Sequence, residues 1–204
     1  MEVLTLEKKK RSRPIPASLV CEELDGRLLY YKGYKDVLSG KKTKEEIMGG
    51  SGLQMELISY LVRLLTKLLD EKRHRVYGGE AGLHLAYRTN LSSNVCVYDK
   101  KILTPDKITT QYLDLPPKLV VEVDVSVELD SLTLSDYILS KTKSLLDFGT
   151  EKVVWILSRN KKVFVAEPGK DWYYTDWHNP VTLMDGIVCN VAEYLAAEGI
   201  EVGG

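Results

Sequence analysis

The sequence predicts an α/β (α+β) domain built on a mixed sheet flanked by helices, and three observations carry that reading. Lys118 to Val125 is rich in Val and Leu, the composition of a strand. Ser131 to Gly149 has the pattern of a helix with a glycine C-cap and returns the chain to three further strand-like runs. Ser51 to about Lys72 places Leu53, Leu57, Ile58, Leu61, Leu64, Leu65, Leu68 and Leu69 on a broad apolar stripe of helical period.

The elements follow in order. Residues 1–17 form a basic leader, with Lys8 to Arg13 expected to be solvated and Pro14 and Pro16 closing it. Residues 18–204 then make a single domain. Leu19 to Tyr34 predicts a hairpin, because Asp25-Gly26 is a strong two-residue turn signal between strands. Thr43 with Glu46 three residues on predicts a short capped helix that Gly49-Gly50 would end. After the long helix, Arg75 to Asn90 reads as a bent strand or hairpin, and Val95 to Tyr98 as a short strand. Pro116-Pro117 leads into the central strand. Beyond the second helix come strands at Val153–Ser158, Lys162–Pro168 and Asp171–Trp177. One more short strand lies within Val181–Asn190, and a terminal helix starts at Val191.

Composition narrows the function. The 204 residues suffice for one substantial core. A formal net charge of −1, from 28 basic and 29 acidic residues, means that a polyanion would have to be met by local patches. No apolar run approaches the ~20 residues that cross a bilayer, so no membrane is expected as a partner. Cys21, Cys96 and Cys189 are odd in number, far apart and in no metal spacing, which fits a reducing cytoplasm. His74, His84 and His178 are equally scattered. The basic turns at Lys41-Lys42-Lys44, Lys100-Lys101 and Arg159-Lys161-Lys162 could touch phosphate, although charged turns are commonplace. The aromatic run of Trp172, Tyr173, Tyr174 and Trp177 could stack on bases or serve packing.

The chemistry concentrates on the central strand. The period-2 rule puts Leu119, Val121, Val123 and Val125 on one face, and Val120, Glu122, Asp124 and Ser126 on the other. Two carboxylates on an apolar strand need a cation, a donor network or water. An edge strand with one wet face would satisfy them without any function. A metal site would satisfy them with one. The helix that follows supplies Lys141 and Lys143, either of which could reach that polar face. Carboxylates holding Mg²⁺ beside a lysine are the groups that metal-assisted phosphodiester cleavage uses.

Several of these residues resemble a known family. Pro116 to Ser126, followed by Lys141 to Val165, is similar to the Uma-type putative restriction endonuclease family of the PD-(D/E)XK superfamily. Glu122 matches the family's strand Glu, Lys141 its lysine displaced onto the next helix (eight residues before Gly149), and Trp155 its strand Trp. Glu22, Asp25 and Gly26 match its opening Glu-x-x-Asp-Gly signature. The resemblance runs from Leu19 to Ile200. It implies a restriction-endonuclease-like domain, a DNA substrate, Mg²⁺ with Mn²⁺ as substitute, and a homodimer where both strands are cut. It also implies metal ligands at Glu122, the Val123 carbonyl and position 94, with Lys141 orienting the attacking water. Position 94 departs from the pattern, since Asn94 stands where the family has Asp. Asp124, two residues after Glu122, is expected to supply the missing charge, with Glu80 as a further acid. The alternative is a degenerate nuclease fold that binds nucleic acid or a protein without cutting.

Overall fold

The structure, a computed structural model, describes residues 14–130 and 132–203. The expected basic leader lies outside these residues except at its end, where Ala17–Leu19 forms a 3₁₀ turn. The chain continues as β1 (Val20–Leu24), β2 (Arg27–Tyr30), α1 (Tyr34–Leu38), α2 (Glu45–Met48) and α3 (Gly52–Leu68). Then come β3 (His74–Ala86), β4 (Thr89–Asp99), β5 (Leu119–Val123), α4 (Leu134–Phe148), β6 (Lys152–Leu157) and β7 (Lys162–Ala166). Strands β8 (Tyr173–Asp176), β9 (Val181–Thr182) and β10 (Val188–Cys189) precede α5 (Val191–Ala197).

The main sheet runs β2-β1-β4-β5-β6-β7-β8, with β3 on the far edge of β4. β5 and β6 are parallel, as the intervening α4 requires, and the other pairs are antiparallel. The mixed sheet is as expected. β5 is a central strand buried on both faces, so an edge strand with a wet face is ruled out. The short strand expected at Val95–Tyr98 is the end of a much longer one: β3 and β4 form one hairpin turning at Tyr87-Arg88. The expected C-terminal strand is a small hairpin of β9 and β10.

Two apolar layers sandwich this sheet. Leu57, Ile58, Leu61 and Leu65 of α3 pack with Val121 and Val123 on one face. Tyr137, Ile138 and Leu145 of α4 pack with Val120 and Trp155 on the other. Each such buried side chain stabilises the fold by about 1.5–3 kcal/mol. The helix ends are capped as well. Ser51 Oγ accepts from Gln54 N at 3.2 Å to start α3. Thr133 and Asp136 form a full capping box on α4. At the expected box of Thr43 and Glu46, Thr43 N donates to Glu46, but the N-cap falls one residue later, on Lys44, and the helix begins at Glu45. Gly149 ends α4 with φ of 116°, and a Cβ there would meet Pro116 Cγ at 3.1 Å. No helix among the described residues is long and apolar enough to cross a membrane.

Candidate active site

One edge of β4 is shared by two strands, and this arrangement builds the site. β1 pairs with the start of β4 through Glu23 and Asn90, and β5 pairs with its end through Val95 and Val121. Glu22 and Glu122 therefore flank the stretch Ser92-Ser93-Asn94 from its two ends. α4, crossing over this face, lowers Lys141 between them. Lys141 Nζ lies 2.7 Å from Glu22 Oε1 and 3.1 Å from Glu122 Oε1, and donates to Ser92 O at 2.7 Å. All three charged side chains are at most 5% exposed.

The carboxylates are heavily bonded. Glu22 Oε1 accepts from Ser92 N and Ser92 Oγ, both at 3.1 Å, and Glu22 Oε2 accepts from Tyr137 OH at 2.8 Å. Glu122 Oε1 accepts from Ser93 Oγ at 3.0 Å, whereas Glu122 Oε2 has no protein donor among the described residues. Burial pushes the Glu122 carboxyl above the ordinary carboxylate range, with the Lys141 ammonium opposing the shift. Burial acts to lower the Lys141 pKa, but Glu122 and Glu22 outweigh it and hold the ammonium well above the ordinary lysine range. Lys141 also lies over the rings of Trp155 and Tyr137, at 5.4 and 5.8 Å from their centres. Trp155 is itself fixed by a 2.9 Å bond from Nε1 to Thr142 Oγ1.

The expected site residues divide. Glu122, Lys141, Asn94 and Val123 are brought together. Asn94 Oδ1 accepts from Val123 N at 2.8 Å, and the Val123 carbonyl accepts from Gln54 Nε2 at 2.7 Å. Asp124 does not join them, which corrects its expected place on the Glu122 face. β5 stops at Val123, Asp124 turns to φ of 58°, and the period-2 rule fails at that residue. Its two carboxylate oxygens accept from Ser158 N and Ser158 Oγ, each at 2.7 Å. Lys143 is exposed and paired with Asp147 on the same helix, so Lys141 alone reaches inward. Glu80 is exposed on β3. Glu22 was not expected in the site. Its match to the opening signature was visible, but β1 is separated from β5 by almost a hundred residues, and only the shared edge of β4 joins them.

Among the described residues, no group of three or more His, Cys, Asp or Glu side chains is placed to hold a metal. The donor types nevertheless are those a hard divalent cation takes. Among the described residues Glu122 Oε2 takes no protein donor, and Asn94 Oδ1 and the Val123 carbonyl each accept one bond with a second lone pair remaining. These three would hold Mg²⁺ or Mn²⁺ through oxygen, with a single carboxylate charge.

A cleft of about 890 Å³ opens beside Asn94, with Gln54, Asp124 and Ser158 also in its wall, while Glu122 and Lys141 do not line it. It lies at the end of β5 and β6 where their chains leave the sheet, the usual place for ligands in sheets with parallel strands.

No protein-family model matches the chain, and no curated protein matches it. A solved structure does: a protein described as a putative nuclease belonging to DUF820 from Anabaena variabilis ATCC 29413. It superposes with a TM-score of 0.64 over 86% of this chain and 89% of its own, at 12% identity. The large mixed sheet flanked by helices is thus a fold this chain has in common with that protein.

Proposed function

We propose that the protein is a metal-dependent nuclease hydrolysing phosphodiester bonds in DNA. The observation that carries this reading is Lys141 Nζ at 3.1 Å from Glu122 Oε1, on a strand whose next residue, Val123, donates its N–H to Asn94 in the wall of an open cleft. The fold in common with a nuclease-described structure supports it. A bound Mg²⁺ would supply a Lewis acid and a water of lowered pKa. The chain's own residues do the remaining work. Glu122, Glu22 and Ser92 O hold Lys141 in place and charged, and Tyr137 OH fixes Glu22. Its ammonium then favours negative charge developing on a phosphate oxygen.

The test is nicking of supercoiled plasmid in Mg²⁺ or Mn²⁺ by the wild type and by Glu122→Gln. Metal-dependent nicking that falls at least a hundredfold in the variant is expected. Equal nicking by both would overturn the reading.

Asn94 favours a second reading, a nuclease fold that binds nucleic acid without cutting it. A carboxamide supplies oxygen but no charge, which leaves one carboxylate for the metal. Tight DNA binding by a wild type that gives no nicking in either metal is the outcome this reading expects.

A further inference from the structure

The cleft rim carries both signs of charge, but they are not equally available. Asp124 is engaged by Ser158 N and Oγ, Glu128 Oε2 accepts from Gly33 N at 3.0 Å, and Glu46 accepts from Thr43 N. Three of the four rim carboxylates are thus turned onto groups of the protein itself. The cations are not. Lys32 and Arg159 are exposed, line the cleft and have no acidic partner among the described residues, and Lys42 lies 4.0 Å from its nearest carboxylate, Asp36. The exception on the acidic side is Glu80, which has no partner among the described residues either. Hydrogen bonds from neutral N–H and O–H groups leave those carboxylates charged, so the rim as a whole is close to balanced, and Lys32 and Arg159 are the cations left free to meet an anion locally.

The number of cations limits the kind of anion. Duplex DNA bears a charge about every 1.7 Å, and proteins that grip it nonspecifically neutralise roughly 6–10 phosphates. Two or three cations fall well short of that. The rest of the wall mixes polar side chains such as Gln54, Asn94 and Ser126 with the apolar or aromatic Tyr31, Ile47, Met48 and Met55, and a volume of about 890 Å³ is one that flat, unpaired bases can enter. A groove with a few cations and apolar contacts for bases is the arrangement that takes single strands.

We propose that this cleft binds a single-stranded stretch of nucleic acid, with its phosphates on Lys32 and Arg159 and its bases against Tyr31 and the two methionines. The cleft reaches Asn94, which bonds Val123 N next to Glu122, although the buried Glu122–Lys141 pair does not itself line it. This deepens the nuclease reading by naming its substrate class, and rests on that reading only for the cutting, not for the binding.

The experiment measures binding alone, by fluorescence anisotropy of a labelled oligothymidylate and of a duplex of equal length, in EDTA. The oligothymidylate should bind at least tenfold more tightly than the duplex. Its log affinity should fall against log salt with a slope of about −1.5 to −2, as two or three phosphate contacts to a single strand require. Lys32→Ala and Arg159→Ala should each weaken binding severalfold and reduce the slope by about 0.7, while Glu80→Gln should tighten it. Circular dichroism of each variant confirms that it is folded. Equal or tighter binding of the duplex would overturn the inference, as would unchanged slopes in both cation variants. The two readings fail separately. Single-strand binding without nicking sustains the cleft and sinks the nuclease, whereas nicking with duplex preference does the reverse.

Discussion

Lys141 Nζ and Glu22 Oε1 meet at 2.7 Å across 119 residues of sequence, and both side chains are almost wholly buried. The pair ties the first strand of the sheet to the helix that follows its centre. Removing one partner of such a pair leaves a desolvated charge, which costs about 3–5 kcal/mol. Glu22→Ala should therefore lose about that much in urea unfolding. Glu22→Gln should lose less, because it keeps an acceptor for Tyr137 OH and Ser92 N. A Glu22→Ala cost below about 1 kcal/mol would mean that the buried pair does not anchor the hairpin.

The same cluster makes stability depend on alkaline pH. Glu122 and Glu22 raise Lys141 well above the ordinary lysine value of 10.5, overcoming the lowering by burial. Burial first, then Glu22, raises Tyr137 well above 10.0. For both groups the folded state keeps a proton that the unfolded chain has already released. Their contribution is thus fully present below the unfolded value and is lost as pH rises toward the folded one. The urea midpoint should hold from about pH 8 to 9.5 and fall above pH 10. Lys141→Met and Tyr137→Phe should each make that fall shallower. An unchanged slope in both variants would show that other groups set the alkaline limit.

The layered fold was legible because its signals are local or periodic. The stripe from Leu53 to Leu69 announces α3, Asp25-Gly26 announces the first turn, and the β5–α4–β6 order calls for a parallel pair. The site was legible only where one residue could be placed relative to its own element. Glu122 was found that way, whereas Lys141 was told from Lys143 only by the family resemblance. Glu22 was not placed in the site, since nothing local says that β1 and β5 share an edge of β4. Gln54 escaped for a similar reason: it reads as one more residue of an amphipathic helix, yet its amide reaches the Val123 carbonyl 69 residues away. Asp124 misled for the opposite reason. The alternation rule assumes that the strand continues, and a left-handed residue ends it.

Asp124 should accordingly be structural. Asp124→Ala removes both acceptors of Ser158 and places alanine at φ of 58°, a conformation that Asp and Asn tolerate better. A loss of about 1–3 kcal/mol is expected in urea unfolding, and Asp124→Asn should recover part of it. Neither variant should change Mn²⁺ affinity measured by electron paramagnetic resonance. A severalfold loss of Mn²⁺ affinity in Asp124→Asn, with stability kept, would return the residue to the metal site.

In the proposed metal site, Asn94 is the position where one atom would decide how well a cation is held. Its Oδ1 accepts from Val123 N at 2.8 Å, a bond that a carboxylate oxygen can make equally well, so Asn94→Asp should fold without strain. The side chain is only partly buried, so an aspartate there can ionise. The substitution raises the carboxylate count facing the cation from one to two, and charge count is a main determinant of affinity at oxygen sites for divalent cations. Mn²⁺ should bind at least tenfold more tightly, about 1.4 kcal/mol, by electron paramagnetic resonance titration. Plasmid nicking should increase in parallel. Asn94→Asp combined with Glu122→Gln should return the affinity to about the wild-type value, because one carboxylate again remains. If Asn94→Asp leaves Mn²⁺ binding unchanged, position 94 does not face the cation, and the oxygen set of Glu122, Asn94 and Val123 is not the metal site.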